Sequence, residues 1–161
     1  MIKLEISNSQ YSRAKELYEF KVLKNSIKKG EGNIFGAIGE IMVNDYFIGK
    51  GANVDLNQTY DYDLIINGFK VDVKCKATNY EPKDYFNAVI PAYNPHQKCD
   101  FYFFTYVTYN FKTCYLAGYK KKQDFFKESR LAKKGEIDVG NWKFKTDTYV
   151  LQIADLIKFK Q

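Results

Sequence analysis

The stretch YDYDLIINGFKVDVKCK, Tyr60 to Lys76, holds three side chains whose types and spacing suit chemistry on a phosphate: Asp63, Asp72 and Lys74. Asn67-Gly68 is a strong two-residue hairpin signal, because a type I′ turn needs positive φ at both central positions and these two residues tolerate it. Taken literally, the turn pairs Ile66 with Phe69, Ile65 with Lys70, Leu64 with Val71 and Asp63 with Asp72. Directly opposed residues have Cβ atoms roughly 4.5–5.5 Å apart, and like charges at that separation repel. Each carboxylate then raises the pKa of the other unless a positive charge intervenes. Mg²⁺ suits such a pair, since it accepts one or two protein carboxylates and completes its octahedron with water and phosphate oxygens. Lys74, two residues further along the same face, would reach the rim, there to orient or activate an attacking water and to stabilise charge developing on phosphorus. The competing reading is a solvated ladder of Asp63, Asp72, Lys70 and Lys74 that holds no metal.

Alternation along the two strands sorts their side chains by face. Tyr62, Leu64, Ile66, Phe69, Val71, Val73 and Cys75 make one apolar face, which must meet a core, while Asp61, Asp63, Ile65, Lys70, Asp72, Lys74 and Lys76 make the other. Upstream, Tyr11, Ala14 and Tyr18 recur at helical spacing and predict a helix from about Ser9 to Lys28. Asn33 reads as the N-cap of a second helix, about Ile34 to Ile48, closed by the GKG run at Gly49 to Gly51. Gly36 and Gly39 cost that helix propensity, a cost usually offset where a helix lies close against a neighbour. Downstream, strands are predicted at about Asn53 to Asn57, Tyr62 to Ile66, Phe69 to Lys76, Phe86 to Ala92, Phe101 to Tyr109 and Thr113 to Tyr119. A short helix near Gln123 to Ser129, a polar turn region and a last strand near Tyr149 to Ile153 follow. The order describes an α/β or α+β domain with a mixed sheet.

At 161 residues, 45% hydrophobic and 27% charged, the chain fits one folded domain spanning residues 1–161. Its apolar runs, such as FYFF, fall far short of the roughly 20 residues of a membrane helix, and the N-terminus lacks the apolar core of a signal peptide; a cytoplasmic location is expected. Cys75, Cys99 and Cys114 form no C-x-x-C pair and read as small core residues, and His96 has no histidine partner and reads as a polar loop residue. A net charge of +6 favours a polyanionic partner. Of the 25 basic residues all but Arg13 and Arg130 are lysine, which favours contact with phosphates over readout of guanine edges.

These residues resemble the PD-(D/E)XK nuclease superfamily, the restriction-endonuclease-like enzymes. That pattern is an acid on an early helix, an Asp at the start of one strand and Asp/Glu-x-Lys on the next; here it is matched by Glu40 in GAIGEIMVNDYF, Asp63 in YDLIING, and Asp72 with Lys74 in VDVKCK. Tyr62 stands where the family name has proline. The similarity extends more faintly through FNAVIPAYNPHQKCDFYFFTYV, CYLAGYKKKQDFF and YVLQIADL, and is to small phage and bacterial members. It implies an αβββαβ core with a central mixed β-sheet flanked by helices, plus an N-terminal helix. It also implies Mg²⁺ or Mn²⁺ held by Asp63, Asp72 and the Val73 carbonyl, with Glu40 reaching the site directly or through water. The implied reaction is hydrolysis of a DNA phosphodiester to a 5′-phosphate and a 3′-hydroxyl. Asp61 rivals Asp63 on the same face, but the Asn-Gly register puts Asp63 opposite Asp72.

Lys76, one step further along the face, and the clusters Lys28-Lys29 and Lys120-Lys121-Lys122 are candidate contacts to the DNA backbone, each also readable as solvated surface. One site cuts one strand, so a homodimer is a natural arrangement for such enzymes. Two other functions compete with the nuclease: a DNA-binding module that kept the fold without catalysis, and a phage interaction protein that binds neither metal nor DNA.

Overall fold

The computed structural model describes residues 1–24, 34–57, 59, 61–139 and 141–160. In chain order the elements are β1 (Ile2–Glu5), α1 (Asn8–Lys24), α2 (Ile34–Gly49), β2 (Val54–Leu56), β3 (Leu64–Ile66), β4 (Phe69–Thr78), β5 (Asn87–Pro91), β6 (Phe101–Thr108) and β7 (Thr113–Lys121). They continue with α3 (Lys122–Glu128), β8 (Arg130–Ala132), β9 (Ile137–Asp138), β10 (Trp142–Lys143) and β11 (Thr148–Gln152), then a 3-10 turn at Ile153–Asp155. This is a mixed α/β chain. Lys28, Lys29 and the Asn33 cap lie outside the described residues.

A capping box starts α1: the Gln10 N–H donates to Ser7 Oγ at 3.1 Å, and the Ser7 N–H donates to Gln10 Oε1 at 3.0 Å. Ala14 and Leu17 are buried on one face of this helix, with Tyr11 and Tyr18 packed beside them. Every residue of α2 from Ala37 to Asn44 is buried, as expected for a helix that is apolar nearly all round. Arg13 Nη1 lies 2.8 Å from Asp45 Oδ2 and ties the two helices together.

Six strands form a sheet in the order β1-β7-β6-β4-β3-β2, in which β4 and β6 run parallel and all other neighbours antiparallel. A second, antiparallel sheet has the order β5-β11-β8, and β9 pairs with β10. The strands predicted near Phe86 and Tyr149 therefore belong to a separate sheet. β1 was not legible as a strand, and the predicted polar turn region contains β8, β9 and β10. One core lies between α1, α2 and the large sheet, built on Ile38, Ile41, Leu64, Val71, Val73 and Phe103 among others. The other face of that sheet packs Tyr102, Phe104 and Tyr106 against Ile90 of β5, Phe125 of α3 and Leu151 of β11.

Of the three glycines in α2, Gly36, Gly39 and Gly49, only Gly39 makes a close approach. A Cβ there would stand 2.7 Å from Thr105 Oγ1 and 3.1 Å from the Cys75 Cβ, whereas Gly36 has open space. Gly39→Ala is therefore expected to destabilise the fold by about 1–3 kcal/mol despite the better helix propensity of alanine. Urea denaturation of the variant checks this, and a neutral or stabilising result would mean that Thr105 simply rotates away.

The Asn67-Gly68 turn forms as its residues dictate, with φ of 49° and 86°. The ladder keeps the predicted register for three pairs, Ile66↔Phe69, Ile65↔Lys70 and Leu64↔Val71. It does not extend to Asp63↔Asp72. The Asp63 N–H bonds the Val71 carbonyl at 2.9 Å, so Asp63 and Leu64 both stand opposite Val71, the two-against-one count of a β-bulge. The extra residue reverses the alternation beyond it. Tyr62, expected on the face of Leu64, packs instead with the Tyr102 cluster, and Lys70 Nζ sits 5.2 Å from its ring centroid. Phe69, also expected in the core, is 55% exposed at the hairpin tip.

Candidate active site

Parallel pairing of β4 and β6 sets Asp72 beside Tyr102 and brings the loop that feeds β6 up to Asp72. That loop is fixed by its own backbone: the Asn94 N–H bonds the Pro91 carbonyl, and the Gln97 N–H bonds the Asn94 carbonyl. Asp61 accepts the Lys98 N–H at 3.1 Å, so this rival for the Asp63 role works as a loop anchor. Asp100 accepts the Lys70 N–H at 2.8 Å from the other end.

Gln97, carried on this loop and buried, was not singled out by sequence reasoning. Its Nε2 donates to Asp72 Oδ1 at 2.9 Å, and its Oε1 accepts from Lys74 Nζ at 3.3 Å. One carboxamide thus bridges the acid and the lysine. The available signal was indirect: a turn-rich NPHQ segment immediately before a strand that must lie beside the VDVK strand.

Asp72 is 4% exposed. Lys74 Nζ lies 2.6 Å from its Oδ2, a charge contact outside hydrogen-bond angles, so that buried oxygen accepts no hydrogen bond. Asp63 Oδ2 accepts the Val73 N–H at 2.8 Å, which holds its carboxylate over the middle of β4. Burial first, and the nearby Asp63 charge second, push the Asp72 carboxyl up to about 6, against the opposing pull of Lys74 and Gln97. The repulsion expected between these two aspartates is therefore present, although it arises across a bulge and not a regular pair. Lys74 also lines a cavity of about 240 Å³ between β4 and the β5 segment, with Pro91 and Asn94 on its far side.

This donor set suits a hard dication. Two aspartates repel one another beside a buried oxygen whose one close partner is the Lys74 ammonium, and one or two carboxylates are what Mg²⁺ takes from a protein. Among the described residues no group of three His, Cys, Asp or Glu side chains is placed to hold a metal ion. Glu40 is buried on α2, and its charge acts on Cys75, a side chain of the sheet face that packs against α2.

The remaining predicted contacts fare differently. Lys120 is not a surface cation: its buried ammonium lies 2.6 Å from Glu128 Oε2 and donates to the Asp155 carbonyl at 2.9 Å. Lys76 reaches Asp138 Oδ2 at 3.3 Å and the Asn87 carbonyl at 3.4 Å, tying β4 to β9 and β5. Lys122 donates to the Gln97 carbonyl, beside the site, and Lys121 is exposed. The cysteines are free, and burial pushes the Cys99 thiol up to about 11, which removes it as a thiolate nucleophile at neutral pH. His96 is exposed, and no helix among the described residues is long and apolar enough to cross a membrane.

Replacing Gln97 with alanine removes one donor from the ionised form of Asp72. The Asp72 midpoint is then expected to rise by about one unit, measured by carboxyl ¹³C NMR titration. An unchanged midpoint would show that Lys74 alone holds the carboxylate. No family model and no curated protein matches the chain.

Proposed function

We propose that this protein is a metal-dependent deoxyribonuclease built on a restriction-endonuclease-like core. The observation that carries the reading is Asp72: buried, crowded by Asp63, with one oxygen lacking a hydrogen bond and Lys74 two residues away at 2.6 Å. Asp63, Asp72 and the Val73 carbonyl would hold Mg²⁺ or Mn²⁺, which when bound supplies Lewis-acid stabilisation of charge on the scissile phosphate.

The chain's own groups do the rest. Gln97 keeps Asp72 Oδ1 occupied, so a cation would take Oδ2 by displacing the Lys74 ammonium from it. Once Asp72 has another counter-charge, Lys74 Nζ is released to donate to the phosphate or to orient the attacking water, an interaction worth most as charge builds in the transition state. Asp72 must be ionised for this, so activity is expected to rise through about pH 6. Glu40 would reach the metal directly or through water, and a homodimer would supply two such sites for two strands.

Pure protein incubated with linear duplex, single-stranded, nicked and four-way-junction DNA in Mg²⁺ or Mn²⁺ tests the assignment. Cleavage is expected, and Lys74→Ala should lower it by about 10²–10³-fold. If the wild type, Asp72→Ala and Lys74→Ala give indistinguishable products, the assignment is wrong. Salt-dependent DNA binding without any product would favour the binding-module reading, for which the charge of +6 speaks.

A further inference from the structure

Phe69 is the feature that neither the core nor the candidate site accounts for. A phenylalanine 55% exposed at a hairpin tip is held edge-on against Phe101, with ring centroids 5.6 Å apart. Both rings line two cavities, one on either side of them. One, of about 450 Å³, also has Cys99, Asp100, Lys121 and Lys122 in its wall. Lys122 bonds the Gln97 carbonyl, so this cavity lies against the Asp72 site. The other, of about 520 Å³, runs under the last residues of the chain and is walled by further rings, among them Tyr119 and Phe159, at 5.2 Å from one another.

The charged residues of this surface are nearly all of one sign. Five lysines, Lys50, Lys121, Lys122, Lys158 and Lys160, line the two cavities against one carboxylate, Asp100, which already accepts the Lys70 N–H. Lys158 and Lys122 are engaged by backbone carbonyls. Lys50, Lys121 and Lys160 are exposed, and no carboxylate among the described residues pairs with them.

Aromatic faces along a cationic groove are the recognition chemistry of a single strand, because unpaired bases stack on rings while lysines follow the phosphates. In a duplex the base faces are already stacked on one another, so the rings discriminate against paired DNA. We infer that the hairpin-tip surface from Lys121 past Phe69 and Phe101 to Lys50 and Lys160 binds an unpaired nucleic-acid strand and leads it to the Asp72 site. The role given to that strand, as part of the substrate, rests on the nuclease reading. The binding itself does not.

Fluorescence anisotropy in EDTA, where nothing is cut, tests the binding alone. The probes are a fluorescein-labelled oligothymidylate of about 12 nucleotides and a blunt duplex of the same length. The wild type should bind the single strand more tightly, and Phe69→Ala should weaken that binding by about 5- to 100-fold. Phe69 is largely solvated, so an unchanged melting temperature will show that the variant is folded. The double variant Lys50→Gln/Lys160→Gln should lower the salt dependence of binding, log K against log salt, by about 1.4. Equal affinity for both probes, or Phe69→Ala and double-lysine variants that bind as the wild type does, would overturn the inference whether or not the protein cuts DNA. Absence of cleavage in Mg²⁺ with these binding results intact would overturn the nuclease reading alone.

Discussion

At about pH 7 the Asp72→Asn protein is expected to be more stable than its parent and to cut no DNA. The carboxyl titrates near 6 in the folded chain and at 3.8 as a free side chain, so the native state binds the proton more tightly. Between those two values the native state holds more protons than the unfolded one, and stability therefore falls as pH rises from about 4 to 6. Above that window the ionised carboxylate destabilises the fold by about 2–3 kcal/mol, which an isosteric neutral amide removes. Asparagine also removes one of the two carboxylates offered to a dication, with a loss of at least about 10³-fold in cleavage rate. Urea denaturation of both proteins at several pH values measures the first effect. The stability difference should be largest at neutral pH and vanish below about pH 4. A variant less stable than the wild type at neutral pH would mean that the Lys74–Asp72 ion pair outweighs the repulsion.

Addition of Mn²⁺ is expected to reverse the same strain. A dication that binds only the native state stabilises it by about 2.7 kcal/mol at a hundredfold excess over Kd. For a chain of this length that corresponds to a rise in Tm of about 5–10 °C. Because protons compete for Asp72, the apparent affinity should fall about tenfold per pH unit below the carboxyl midpoint near 6. The shift should be absent from the Asp72→Asn protein. Differential scanning fluorimetry over a manganese and pH grid provides the measurement. A shift that persists at low pH or in the variant would place the ion elsewhere.

Much of this was legible because a few local signals are strong. Asn67-Gly68 fixed the turn and three ladder pairs, the segment from about Ile34 to Ile48 reads as a helix lying close against a neighbour, and VDVK places an acid and a lysine on one side of a strand. The bulge at Asp63 was not legible, because an extra residue leaves no mark on an alternating pattern, and with it went the face of Tyr62; Phe69 keeps its register but is exposed at the hairpin tip. Gln97 was hidden for another reason. Its position depends on β6 lying parallel to β4, a long-range pairing that no local sequence rule specifies. Lys76 and Lys120 look like surface cations in sequence, since burial of an ammonium depends on partners far along the chain, Asp138 and Glu128. The split of the later strands into a second sheet is a long-range matter of the same kind.

A crystal grown with manganese and measured at the metal's absorption edge tests the central claim most directly. A dication shared by Asp63 and Asp72 gives an anomalous peak between their carboxylates, with Lys74 Nζ withdrawn from Asp72 Oδ2. A map with no peak there, both carboxylates being ordered and ionised, would contradict it.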